Sequence, residues 1–247
     1  GIIMGANIGT TITAHILSLS GLEGNGIFAF FKMSTLAPLL AVVGILLFLA
    51  SSQDKRKNIG QMLVGLAILF FGMFAMEDAV SGLKDAPQFA ELFSQLSNPL
   101  LGVLAGAVVT AIIQSSSASV GILQALASTG AITFSAAFPI IMGQNIGTCI
   151  TPVLSSIGAS KGARRTAFVH VAFNVAGTVL FLVIIYAVQG LAGFPFWSGA
   201  ITKSGIANFH TIFNPTCTLL FAPFVGEFEN CHVYTSPSPR ELSTSSM

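Results

Sequence analysis

The sequence predicts an all-α polytopic membrane protein built from inverted-topology repeats with re-entrant or discontinuous helices, and three observations predict it. Hydrophobic residues make up 53% of the chain and charged residues only 8%, with a mean hydropathy of +0.83, whereas a soluble domain carries roughly 25% charge. Ile2 to Thr13 (IIMGANIGTTIT) recurs 138 positions later as Ile140 to Thr151 (IIMGQNIGTCIT), with ten of the twelve residues identical, so an internal repeat organises the chain. The few charges are gathered in short segments, and their placement gives an orientation.

The elements follow in order. Gly1 opens inside the repeated motif with neither an initiator Met nor a basic leader, and the chain reads as a fragment lacking its N-terminal part. A Gly-rich loop, Gly21 to Gly26, leads to an apolar run from Thr35 to Ala50, a polar loop from Gln53 to Asn58, and a second run from Ile59 to Met76 that closes on Glu77 and Asp78. Both runs approach the ~20 residues needed to cross a bilayer. Ser81 to Asn98 mixes Lys84, Asp85 and Glu91 with Phe89, Leu92, Phe93 and Leu96, which suits an interfacial loop or short amphipathic helix.

Residues 92–160 then contain no Asp, Glu, Lys or Arg. These sixty-nine residues exceed two ordinary spans but are interrupted at Gln114 to Ser119 and again at Pro139 and Gly143 to Thr148. A hairpin or discontinuous helix is expected around Gln114, and a broken helix around Asn145. Two more runs, Thr166 to Val188 and Ile206 to Val225, are each long enough to span. Residues 1–226 therefore form one transmembrane transport domain, with the second repeat at about 99–188, and residues 227–247, rich in Ser, Thr and Pro, read as a disordered and non-native tail.

Lys55, Arg56, Lys57, Lys161, Arg164 and Arg165 are six of the ten basic residues, and they mark two cytoplasmic loops. With residues 53–58 inside, the Thr35 to Ala50 helix runs inward and the loop after the first motif lies outside. The loop after the second motif, Ser160 to Arg165, lies inside. Two near-identical segments that leave on opposite faces mark an inverted repeat.

The candidate site is an anion cradle without fixed cations. Gln114, Ser115, Ser116 and Ser117 are consecutive hydrogen-bonding side chains within apolar sequence, and polar groups in hydrocarbon cost several kcal/mol each if unpaired. One serine can bond back to its own helix; four adjacent polar residues point around the helix and cannot all be hidden that way. Each Gly-x-Asn-Ile-Gly-Thr unit is expected to start a half-helix whose free N–H groups face an anion, against the alternative of helix packing through small residues. Na+ ions held by hydroxyls, amide oxygens and freed carbonyls would supply the positive charge. His170 and His210 are each expected to bond a neighbouring hydroxyl, and Asn174 and Asn214 to tie helices together. Cys149, Cys217 and Cys231 have no metal-site spacing, and no nucleophile and base pair or Walker-type loop points to an enzyme.

A Gln-Ser-Ser-Ser stretch followed 29 residues later by Gly-x-Asn-Ile-Gly-Thr, in a chain that repeats the second element, resembles the type II sodium-dependent phosphate cotransporters and their bacterial relatives. The second repeat is complete, from Gln114 to Ser117 and from Gly143 to Thr148; the first retains Gly5 to Thr10. The resemblance implies sodium-coupled symport of inorganic phosphate across the cell membrane, the bacterial plasma membrane included, with no cofactor beyond Na+ as coupling ion. Carried over by motif, Gln114, Ser115, Ser116, Ser117, Asn145, Thr148, Asn7 and Thr10 would line the phosphate and ion site, and Gln114, Ser115, Ser116, Thr148 and Thr151 would serve Na+. The partners implied are phosphate, Na+ and lipid, and no nucleic acid. The residues alone leave two alternatives open: a Na+-coupled transporter of another oxyanion or a carboxylate, and a passive anion channel or non-transporting membrane subunit.

Overall fold

The computed structural model describes residues 2–21 and 32–224. Most of the Gly-rich loop, Val225, Cys231 and the 227–247 tail lie outside the described residues. Among the described residues the regular structure is helical, and five helices are long and apolar enough to cross a membrane. The chain is an all-α multi-pass membrane protein.

Helix α1 (Ile2–Ser18) carries the first motif and ends in a 3₁₀ turn at Leu19–Gly21. Helices α2 (Met33–Ala50) and α3 (Asp54–Ser81) form a hairpin. Two glycines set their crossing: a Cβ on Gly60 would lie 2.6 Å from the Gly44 carbonyl oxygen, and one on Gly44 would lie 2.8 Å from the Gly60 carbonyl oxygen. Only 11% of the α2 span is buried, and Leu39, Val42, Leu46 and Leu49 point outward, as lipid-facing side chains do.

The polar segment after α3 folds into a 3₁₀ turn and the short helix α4 (Pro87–Gln95), bent 107° from helix α5 (Pro99–Ile113). Asn98 caps α5, its Oδ1 accepting from the N–H groups of Leu100 and Leu101, and Pro99 takes the first helical position. Helix α6 (Ser116–Ala127) follows immediately. At fifteen and twelve residues, α5 and α6 are each too short to span alone. The sequence's discontinuity at Gln114 is therefore real.

The second discontinuity is milder than expected. Helix α7 (Phe134–Gly147) continues through Pro139, and only Thr148 and Cys149 separate it from α8 (Ile150–Ser155); together they make one span of 22 residues, most of it buried. Pro139 does not break α7 because Gly102 of α5 leaves room for its ring: a Cβ on Gly102 would lie 2.7 Å from Pro139 Cγ, and packed neighbours let a membrane helix tolerate the lost hydrogen bond. Helices α5 and α7 are in intimate contact through facing Gly-x-x-x-Gly pairs. A Cβ on Gly106 would collide with the Ile140 carbonyl, one on Gly143 with that of Val103, and one on Gly147 with that of Ala107. Backbones approach this closely only through small residues.

Helix α9 (Lys161–Leu191) is a long span, and α10 (Lys203–Phe221) closes the described bundle against α1. The α10 segment, expected as another apolar span, is not among the five apolar helices; it buries Lys203, His210 and Asn214 and packs its polar face inward. Between α9 and α10 the chain crosses the α6–α7 loop, where Ile201 N–H donates to Ile132 O at 2.8 Å and Phe134 N–H to Gly199 O at 3.0 Å. Phe138 stacks on Phe209 there, with centroids 4.1 Å apart.

Candidate functional site

The site is built where α5 stops. Gln114 adopts φ 58° and ψ 22°, the only positive φ outside glycine among the described residues. This conformation ends α5 at once, since a left-handed residue satisfies the last turn and redirects the chain. Ser115 is extended and its Oγ accepts from Ala118 N–H at 3.2 Å, capping α6. The chain thus presents Gln114 exposed and Ser115, Ser116 and Ser117 half-buried around a helix N-terminus, where backbone N–H groups lack intrahelical partners.

The Gly-x-Asn-Ile-Gly-Thr units do not start half-helices. The first lies inside α1 and the second ends α7. Their side chains bond back one turn: Thr10 Oγ1 to Ala6 O at 3.3 Å, Asn145 Nδ2 to Ile141 O at 2.9 Å, and Thr148 Oγ1 to Gln144 O at 2.9 Å. Residues that cap helices in water satisfy themselves on helix carbonyls here. Gly143 and Gly147 serve the packing on α5. The helix N-terminus belongs to the serines instead.

One residue distant in sequence reaches this point, and others tie the neighbouring helices together. Thr10 Oγ1 lies 3.5 Å from Ser116 Oγ, joining the first motif to the serine tip. Asn7 Nδ2 donates to Asn174 Oδ1 at 3.1 Å, and Asn174 Nδ2 donates to His170 O at 2.9 Å. Asn214 Nδ2 donates to Thr11 Oγ1 at 3.3 Å; both asparagines tie helices together as expected. Asn145 is buried in α7 and Thr148 half-buried at its end, each bonded within its own helix, whereas Thr151 is exposed on α8 and its side chain makes no hydrogen bond among the described residues.

Behind the tip lies a layer that sequence reasoning missed. Gln144 Nε2 donates to Ser119 O at 3.0 Å and to Ser119 Oγ at 2.9 Å, and Ser119 Oγ meets Thr110 Oγ1 at 2.7 Å. All three residues are buried. The signal was present: Gln144 is one of two differences between the repeated motifs, standing where the first copy has Ala6. The amide oxygens of Gln124, Gln144 and Asn214 are buried with no donor among the described residues. The histidine expectation fails in the same way, since His170 Nε2 and both ring nitrogens of His210 have no hydrogen-bond partner among the described residues; it is His15 that meets a hydroxyl, Thr211 Oγ1, at 2.7 Å. No group of three or more His, Cys, Asp or Glu stands together among the described residues.

Uncharged hydroxyls and amides beside a helix break, inside a bundle of apolar spans, are an arrangement that membrane transporters use. The chain belongs to the Na+/Pi-cotransporter family, which matches residues 1–78 and 81–203. It is 31% identical over 227 residues to "Uncharacterized protein YqeW" of Bacillus subtilis, covering 92% of this chain and 69% of that one. It is 27% identical over 226 residues to "Putative inorganic phosphate export protein YjbB" of Escherichia coli K12, covering 91% of this chain and 39% of that one. It is 35% identical over 165 residues to the human "Sodium-dependent phosphate transport protein 2B", covering 62% of this chain and 23% of that one. No solved structure matches it.

Proposed function

We propose that this chain is the transport domain of a sodium-coupled phosphate symporter. The observation that carries the reading is the approach of Thr10 to Ser116 at 3.5 Å, which joins the first motif to the serine tip of the second repeat. In this reading the α6 N-terminus, with Gln114, Ser115, Ser116 and Ser117, holds the oxyanion, and Asn7, Thr10, Asn145 and Thr148 line its surroundings. Na+ takes hydroxyl and amide oxygens, with Gln114, Ser115, Ser116, Thr148 and Thr151 as its candidates. The unpartnered oxygen of Gln144 beside Ser119 supports a cation close behind the tip, because a buried acceptor without a donor calls for a positive partner. Each Na+ lowers the cost of desolvating the phosphate dianion, so neither ion is held well alone.

The inverted arrangement draws support from the ends of the helices. Gly21, beyond α1, and Glu77, near the end of α3, both lie against Lys203 at the start of α10, the end of the bundle that α9 reaches after leaving the basic segment Lys161 to Arg165. Thirty-one helical residues span about 46 Å. The first motif thus exits opposite the basic segment that follows the second, and alternating exposure of a site between two such repeats is the mechanism that geometry suits.

Export is the second reading, favoured by the similarity to YjbB over 91% of this chain. Radiolabelled phosphate flux in proteoliposomes of the full-length protein tests both. Saturable uptake that requires an inward Na+ gradient and is lost when K+ replaces Na+ supports symport; efflux without a Na+ requirement supports export and overturns the coupling.

A further inference from the structure

Among the described residues the one ion pair joins Lys203 Nζ to Glu77 Oε1 at 2.7 Å. Ser20 completes it, its Oγ lying 3.1 Å from Lys203 Nζ and donating to Glu77 Oε1 at 3.1 Å. The Lys203 side chain is 10% exposed and that of Glu77 22%. The pair stands in the wall of a cavity of about 420 Å³ that Ser18, Ser128, Thr202 and Ser204 also line. None of these residues belongs to the serine tip.

Three features make this more than a structural bridge. First, the pair and its surroundings join elements far apart in the chain: Ser20 follows α1 and Glu77 lies on α3, whereas Ser128 follows α6 and Lys203 opens α10. Second, α6 links the cavity to the tip, since its last residue, Ala127, lines the cavity and its first is Ser116. Twelve residues put the two about 18 Å apart. Gln124 of α6 ties this end to α1 and α10, Nε2 donating to Ala14 O at 2.9 Å and to Lys203 O at 3.2 Å. Third, with the basic loops cytoplasmic, the cavity opens on the outer face.

We propose that the cavity is an outer vestibule that takes up an oxyanion, phosphate under the function proposed above, and that Lys203–Glu77 is a latch the anion releases. Among the described residues Lys203 is the single cation of the cavity, and it stands at the N-terminus of a nineteen-residue helix capped by Thr202, whose Oγ1 accepts from Gly205 N–H at 3.0 Å. Ammonium, hydroxyls and first-turn N–H groups together suit a phosphate. Glu77 already fills the anionic position on Lys203, as a carboxylate that a dianion can replace. Displaced, Glu77 turns to solvent and the one ion pair among the described residues, which joins α3 to α10, is broken.

The test uses the full-length protein in proteoliposomes, with its native cysteines changed to alanine and Ser128→Cys placed in the vestibule. A membrane-impermeant maleimide reports its accessibility, and inorganic phosphate is the probe. Phosphate should slow labelling saturably. Glu77→Gln should lower the half-protecting phosphate concentration at least fivefold, Lys203→Gln should raise it at least fivefold, and Lys203→Arg should hold it within about twofold of the parent. If Lys203→Gln fails to fold, Glu77→Gln and Lys203→Arg still decide. Equal protection in the Glu77→Gln variant and the parent, or no protection while phosphate uptake saturates normally, overturns the latch. Protection in the expected order without Na+-dependent uptake leaves the latch standing and overturns the symport reading.

Discussion

Ser116 meets Thr10 through one long hydroxyl contact and nothing shorter from a side chain, so its oxygen is free to turn toward a ligand. A hydrogen bond to a charged group contributes about 1.5–3 kcal/mol, and Ser116→Ala should therefore weaken phosphate binding by roughly tenfold or more. If Na+ sits against the same hydroxyl, its apparent affinity falls with that of phosphate; unchanged affinity for both in flux assays would remove Ser116 from the site. Gln144 differs because its amide protons are already spent on Ser119. Gln144→Leu leaves the Ser119 carbonyl short of a donor, and a loss of about 1–2 kcal/mol is expected as a lower thermal midpoint in detergent. The serine tip was legible because four polar residues break an apolar run. Gln144 was not, because one amide in a helix looks like any polar substitution until its neighbour is known, and Ser119 stands 25 positions away.

The elements were legible wherever hydropathy and length decide them, and least legible where glycine does. Helices α2, α3 and α9 extend past the apolar runs by a turn or so, because polar ends such as Asp54 to Asn58 and Lys161 to Arg165 continue the helix after the lipid-facing part ends. Gly143 and Gly147 suggested a turn by composition, yet they lie in a helix whose backbone presses on α5. Small residues carry both meanings, and only the partner helix separates them. Gly106→Val would drive a side chain into the Ile140 carbonyl, and overpacking of this kind costs about 1–3 kcal/mol or more. Gly65→Ala is the control, since it meets nothing within 4 Å on the exposed face of α3, and it should leave stability unchanged or slightly higher. Detergent melting curves of the two variants check the pair; equal losses would mean that α5 and α7 are not held by glycine contact.

At the scale of the whole molecule, the bundle is asymmetric in charge between its two ends. The end formed by residues 53–57 and 161–165 carries Lys55, Arg56, Lys57, Lys161, Arg164 and Arg165, while the end at Ser20, Glu77 and Lys203 holds a neutralised pair. Lysine and arginine bias in short loops sets orientation, so the basic end is expected in the cytoplasm and the vestibule outside. Under the proposed function the same asymmetry lets a binding site work without a fixed cation at its centre: among the described residues the ion pair stands at the mouth, and the interior would offer N–H groups and hydroxyls to an anion. The prediction is topological. In right-side-out vesicles an impermeant thiol reagent should label Ser198→Cys in the α9–α10 loop and leave Ser52→Cys and Ser160→Cys untouched until the membrane is permeabilised. Reversed labelling would move the vestibule to the cytoplasmic face and make the latch a gate for export. Labelling of Ser52→Cys and Ser198→Cys from the same side would contradict the crossings of α3 and α9, and with them the opposite exits of the two motifs on which the repeat reading stands.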